Sequence, residues 1–300
     1  MCYRMLALAG SLLLVLSASR ADETYTIKTS HEDKGGEKYQ LTTTEKGSHN
    51  IVVTGADGGV LNEDKEQVDK SAVVEKTILV IKDGKKRPEK VALKFIRVQD
   101  GKNGDYGLTG KTVVADLKNN KYDCRLEGGG ALSDAALKFL RKEMLKEDDD
   151  ELEFEELALP GKPVALGETW NCKMKGITKE MEKKMQGIRL DADKAKGTGK
   201  LTKVYKKEGR TFGQFELSLD MPFAKSATVN GVDFKFNDGS KFTVVLNFDG
   251  CIDGSIQEGS MTGKIDFNMK GSISAAGMDL TLNGSGDAKL GEERTDLTGK

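Results

Sequence analysis

Between residues 232 and 282, apolar side chains occupy every second position. Val232, Phe234 and Phe236 alternate with polar neighbours. So do Phe242, Val244, Leu246 and Phe248, then Ile265, Phe267 and Met269, then Met278, Leu280 and Leu282. A period of two collects each run on one face of an extended strand, which a helix cannot do. The runs are separated by glycine- and charge-rich breaks, the pattern of an antiparallel meander with one apolar and one wet face. The expected fold class is α+β: a predominantly antiparallel, curved β-sheet with a few short helices against its apolar face. The 35 glycines and the low aromatic share of 6% suit a turn-rich β protein rather than a helical bundle.

Three segments read as helical. In "ITKEMEKKMQGI", Ile177, Met181, Met185 and Ile188 fall on one stripe. Ser133 is a good N-cap, followed by Asp134 in the first turn and by an apolar face of Ala136, Leu137, Leu140 and Met144. A weaker helix is expected over "LNEDKEQVDKSAVV", with Val68 and Ala72 inward. The acidic run "KEDDDELEFEE" reads as a solvated link, since a calcium loop needs a glycine turn that it lacks.

The stretch "LPGKPVALGETW", residues 159–170, holds two of the four prolines and the single tryptophan. Pro160 and Pro163 cannot donate to a ladder and hold the chain extended. Gly167 reads as a turn. Trp170 then opens a half-buried strand in which Cys172 and Met174 point the same way. These four, Pro160, Pro163, Gly167 and Trp170, are expected to be structural.

The two ends of the chain share a plan. Gly36-Glu37-Lys38-Tyr39 matches Gly167-Glu168-Thr169-Trp170, a charged hairpin around Gly84 matches one around Gly209, and the segment ending in Cys124 matches that ending in Cys251. The three offsets agree within a few residues, which points to an internal duplication. The expected organisation is a signal peptide over 1–21, a β-rich N-terminal half over 22–130, a helix and acidic linker over 131–158, and a β-rich C-terminal half over 159–300. The signal reading rests on Arg4, the apolar run Met5–Leu16 and the small residues before a cleavage point after Ala21. Cys2 precedes the apolar run, so a lipoprotein anchor is not expected. No later segment is apolar enough to cross a membrane as a helix.

Chemistry-bearing patterns are scarce. His31 and His49 match no metal-ligand spacing, and both sit among polar residues, where an exposed histidine is expected. A nucleophile elbow, a dinucleotide fingerprint and a phosphate loop are absent from the sequence; "GSG" at 284–286 reads as a bend. Hence catalytic residues: none; metal: none; cofactors: none. Cys124, Cys172 and Cys251 follow the cleavage point, and sequence alone does not say whether two of them form a disulfide. A near-neutral balance of 47 basic and 48 acidic residues gives no reason to expect nucleic acid as a partner. A membrane barrel would need aromatic girdles, and the strands lack them.

The "LPGKPVALGETW" element resembles the Leu-Pro-x-x-Pro-Val-x-x-Gly-x-x-Trp element of a group of exported bacterial β-rich proteins of unknown function. The resemblance implies export, two β-rich halves and no catalytic residues to carry over. The expected role is an exported, non-catalytic cell-envelope protein, periplasmic or extracellular. Its sheet would bind a hydrophobic or lipid-like ligand or an envelope component. The rival readings are an exported carboxylate-dependent hydrolase and a structural or adhesive surface protein.

Overall fold

The computed structural model describes residues 23–82, 87–145, 154–185, 187–229, 232–275 and 278–298. A short strand β1 (Thr24–Tyr25) precedes β2 (Lys38–Thr54), β3 (Val60–Val80), β4 (Lys90–Asp100), β5 (Thr112–Lys118) and β6 (Lys121–Leu126). Helix α1 (Asp134–Phe139) runs into a wide π-type turn at Leu140–Met144, and α2 (Phe154–Ala158) follows. Then come β7 (Val164–Ala165), β8 (Thr169–Asn171) and α3 (Met174–Lys184). The chain ends in β9 (Lys196–Lys207), β10 (Arg210–Pro222), β11 (Ser226–Val229), β12 (Val232–Phe236), β13 (Lys241–Cys251), β14 (Gly259–Ala275) and β15 (Met278–Asp296).

Strands β1 and β7 pair with each other. The rest form one antiparallel sheet in the order β6-β5-β4-β3-β2-β15-β14-β13-β10-β9-β8, and the β11–β12 hairpin joins β14 beyond the end of β13. The sheet is open, with β6 and β8 at its edges. Its two halves meet where β15 pairs with β2, from Thr281↔Thr54 to Asp296↔Tyr39. Tight turns follow the local residues: Asn119 and Asn120, both at positive φ (51° and 62°), join β5 to β6 in the geometry asparagine tolerates.

Two cores lie along this sheet. One gathers Trp170, Leu201, Phe215, Leu217, Leu219, Met221 and Ile177 from the C-terminal strands and α3, together with Ile27 from the N-terminal segment. The other gathers Val74, Ile78, Leu93, Phe95, Val113, Ala136 and Leu140. Helix α1 caps the second core; the Ser133 hydroxyl accepts from the Ala136 amide at 3.2 Å. The N-terminal segment also straps the C-terminal half, since the Lys28 amide donates to Ile252 O at 2.9 Å.

Several expectations are corrected. Residues 61–74 form strand β3, not a helix: they pair with β2 throughout, Val53↔Asn62 to Leu41↔Val74. Glycines 284 and 286 are not a bend. They sit mid-strand in β15, opposite Met269 and Phe267. Strand β8 stops at Asn171, and Met174 opens α3, yet Trp170, Cys172 and Met174 are all buried. The acidic run is helical where it is described, from Phe154 onward; 146–153 lie outside the described residues, as does the turn at Gly84. Gly36 and Gly167 share a local motif: φ is +87° and +83°, and the amides donate to Ile78 O and Leu201 O at 2.8 and 2.7 Å. The likeness does not extend to the cysteines, because Cys124 lies in β6 of a short hairpin and Cys251 ends the long strand β13.

Candidate functional site

Residues directly paired in an antiparallel ladder point to the same face, so the register maps the sheet. Leu217, Leu246, Gly263 and Leu290 form one row from β10 to β15. Leu219, Val244, Ile265 and Ala288 form the next, and Met221, Phe242, Phe267 and Gly286 the one after. Beyond these, β15 presents Leu282, Leu280 and Met278 on the same side, facing Gly271, Ile273 and Ala275 of β14 in the ladder. From β10 to β15 this face is apolar; on β2 it continues as Val53, Ile51, His49, Gly47 and Glu45.

Its cover is uneven. Over β9 and β10, the β8–α3 segment closes the face, and Leu217, Leu219 and Met221 are buried. A Cβ at Gly199 would collide with the Trp170 indole, so this glycine is what lets the ring lie flat on β9. Over β13, β14, β15 and β2 the cover is partial: Val244, Met269, Ile273 and Leu282 are still buried. Phe242, Leu246, Ile265, Phe267, Leu290 and Ile51 are only half-buried. The same device recurs in the open region: a Cβ at Gly286 would collide with Phe267 and lie 2.7 Å from Ser48 O. Each aromatic thus rests over a glycine of the next strand. On β15 the half-buried stretch of this face, the open stripe, runs from Gly286 to Leu290, roughly 13 Å at the usual strand rise.

A polar seam bounds the stripe where β15 continues to Glu292 and Arg294. The Arg294 Nε donates to Glu292 at 2.8 Å and its terminal nitrogen to Gln257 at 2.6 Å, while Gln257 donates to Asp33 at 2.8 Å. The guanidinium sits over the Tyr39 ring, 6.0 Å from its centroid. Burial raises the Asp33 carboxyl above its ordinary value, against the pull of Lys76 and Arg294. His31, whose side chain is 9% exposed, is no solvated histidine: its ring nitrogens face Gly254 O at 3.1 Å and Glu37 Oε1 at 3.0 Å. This corrects the expectation from its polar neighbours, because the covering loop lies more than two hundred residues away in sequence. A network this well partnered holds the strap in place.

His49 stands at the other margin of the stripe, paired with Gly286 and Glu66 and 3.3 Å from Asp64. Among the described residues no three His, Cys, Asp or Glu side chains cluster as metal ligands. Two shallow surface depressions of about 340 and 530 Å³ lie away from the stripe and are lined mainly by polar residues and loop glycines.

The four residues read as structural lie at the edge of the covered region. Pro160 and Pro163 flank the exposed Gly161-Lys162 pair, between buried Leu159 and buried Val164, which pairs with Tyr25. Gly167 makes the turn described above. Trp170 is 5% exposed, donates from Nε1 to Ala158 O at 2.8 Å and meets Phe215 edge-on at 6.2 Å. The structure brings Gly167 and Trp170 together with the covering segment, not with the open stripe. What sequence reading missed is the stripe's outline: its signal is glycine at inward positions of alternating strands.

No protein-family model matches the sequence, and no curated protein matches it. Among solved structures, the chain is similar to the outer membrane protease OmpT of Escherichia coli, with 9% identity, 92% of this chain and 100% of that one covered, and a TM-score of 0.22. An outer membrane channel of Pseudomonas putida F1 gives 9% identity, 88% and 97% coverage and a TM-score of 0.18. OpdQ of Pseudomonas aeruginosa gives 6%, 90% and 100%, and 0.19. Scores this low leave the fold to be described from its own strands.

Proposed function

We propose that this chain is an exported, non-catalytic protein of the bacterial cell envelope that binds a hydrophobic or lipid-like ligand along the open stripe. The observation that carries this is the contrast within one apolar face. Leu217 is buried under the β8–α3 cover, and its ladder neighbour Leu246 is half-buried, as are Ile265 and Phe267 further along the same face. Contiguous apolar surface of this kind is the ordinary mark of a binding site. A ligand lying there would gain the transfer free energy of its own apolar area, about 25 cal/mol per Å².

Export is supported by the apolar run Met5–Leu16 and by the resemblance of the "LPGKPVALGETW" element to that of exported bacterial β-rich proteins. The division into 22–130 and 159–300 is supported by the two cores, one centred in each half. The non-catalytic reading rests on the candidate polar groups being engaged with one another. The test is mass spectrometry of organic extracts from protein purified under native conditions from an exporting host. Stoichiometric recovery of one class of amphiphile supports the reading. Extracts indistinguishable from those of an unrelated exported protein oppose it.

A further inference from the structure

Two strands of the sheet each leave part of one edge unpaired. On β3, strand β4 pairs only from Lys70 onward, so residues 63–69 have β2 on one side and no described strand on the other. The Gly101 amide donates to Asp69 O at 2.8 Å on the side away from β2. Main-chain groups alternate in direction along a strand, so Gln67, Lys65 and Glu63 turn theirs the same way. On β9, strand β8 pairs with residues 198–200, and Leu201 bonds to Gly167 and Glu168; beyond it, residues 202–207 have β10 alone. The Glu208-Gly209 turn, with φ of 51° and 80°, joins Lys207 to its partner Arg210. Lys207 and Tyr205 therefore bond to β10, and Lys206 and Val204 turn their main-chain groups outward. Among the described residues, nothing hydrogen-bonds to the outward main-chain groups of Glu63, Lys65, Gln67, Val204 or Lys206.

We propose that copies of this chain join head to tail, the free β3 edge of one pairing with the free β9 edge of the next. Unpaired edges are the usual template for strand addition. Charge selects the occupant. Residues 63–69 carry Glu63, Asp64, Glu66 and Asp69 against Lys65, four acids less one base, a net −3. Residues 202–207 carry Lys203, Lys206 and Lys207 and no acid, a net +3. Within the chain, Glu66 and Asp69 meet Lys102 and Lys46 at 3.7 and 3.3 Å, and Lys207 meets Glu258. The two acidic pairs are solvent-exposed and of little strength, so they yield to a better partner. Shape agrees with charge. The two edges face opposite sides of the sheet, and β3 and β9 lie an even number of antiparallel steps apart, so they run the same way. A copy that extends the sheet with its apolar face on the same side therefore adds a parallel pair. β9 is free in its C-terminal half and β3 in its N-terminal half. Along the shared direction, β8 of one copy ends before the joint and β4 of the next begins beyond it. A twofold axis would instead bring acid to acid or base to base, which repels.

Sedimentation velocity of the purified protein over a concentration series tests this. Wild type is expected to form species of two or more copies at low salt and to dissociate at high salt. Glu63→Lys with Glu66→Lys makes both edges basic, and Lys203→Glu with Lys206→Glu makes both acidic. All four positions are exposed. Each double variant alone is expected to associate about tenfold more weakly or worse. An equimolar mixture of the two is expected to associate again, because every basic edge then meets an acidic one. Lys65→Pro removes an outward amide, spares the β2 ladder and leaves the β3 edge more acidic. It is expected to abolish association while circular dichroism shows the fold intact. The proposal is overturned if wild type stays monomeric at every concentration, which would leave these edges to a different partner. It is overturned equally if association survives the charge reversals, or if the mixture of variants fails to restore it.

Discussion

The Trp170 indole occupies the space that any side chain at Gly199 would need. The two residues are also directly paired between β8 and β9. Large ring and missing Cβ therefore act as one unit that fixes the covering segment on the sheet. Trp170→Ala should destabilise the protein by about 3–5 kcal/mol. Gly199→Ala should cost about 1–3 kcal/mol through overpacking. The double variant should cost less than the sum, because the new methyl enters the space that the ring leaves. Denaturant midpoints of the four proteins check this; strict additivity would mean that the pair does not act together.

A second glycine pair makes the same point in the open stripe. A methyl at Gly286 meets both Phe267 and the Ser48 carbonyl, and backbone cannot move aside cheaply. Gly286→Ala should lower the thermal midpoint clearly. Gly35→Ala, where nothing lies within 4 Å of the added carbon, should leave it nearly unchanged.

The strands were legible because their inward residues are apolar and their outward ones are not, as in Phe215, Leu217 and Leu219 of β10. Residues 61–74 misled because the first part of β3 has no cover on either face: Leu61 through Gln67 are all exposed. With no buried face there is no period of two to read, and spaced charges then look helical. Gly284 and Gly286 misled for the opposite reason. Inside β15 they are small because a neighbour's side chain fills their place, which only the register reveals. The seam was invisible in sequence, since it joins Asp33 to Gln257 and Arg294 across the whole chain. Trp170 was easier: the chain's largest side chain, on an alternating run after two prolines, falls at the edge of a core.

Acid should loosen the loop after β4. Asp100, 5% exposed, accepts from the Tyr106 hydroxyl and from the amides of Lys102 at 2.8 Å and Asn103 at 3.1 Å. Burial alone would push its carboxyl up, but these donors outweigh it and hold it down at about 2. The folded value lies below the ordinary one, so the stabilisation is complete above about pH 4 and is lost as pH falls toward 2. The effect is on the order of 1 kcal/mol after screening. Asp100→Asn should flatten the acid limb of the stability profile and also free Tyr106 from its stack on Phe139 at 4.8 Å. An unchanged acid limb would remove Asp100 from the explanation.

Cys124, Cys172 and Cys251 are all thiols, with no disulfide among them. Burial pushes the Cys172 thiol up to about 11, so it has little thiolate near neutral pH. Cys251 is 2% exposed, and Cys124 is half-buried. Alkylation of the native protein should therefore modify Cys124 first, with Cys172 and Cys251 reacting only on unfolding. Peptide mapping after brief labelling would show the order; early modification of Cys172 would contradict its burial.

The most direct measurement is a titration of the purified protein with a fluorescent long-chain fatty-acid analogue, repeated with Ala288→Glu, which places a charge in the stripe, and with Lys289→Glu, which changes the opposite face of the same strand. Saturable binding of one probe per chain is expected, displaced by unlabelled fatty acid, weakened at least tenfold by Ala288→Glu and unaltered by Lys289→Glu. No saturable binding, or equal binding by Ala288→Glu and wild type, would contradict a ligand on the open face.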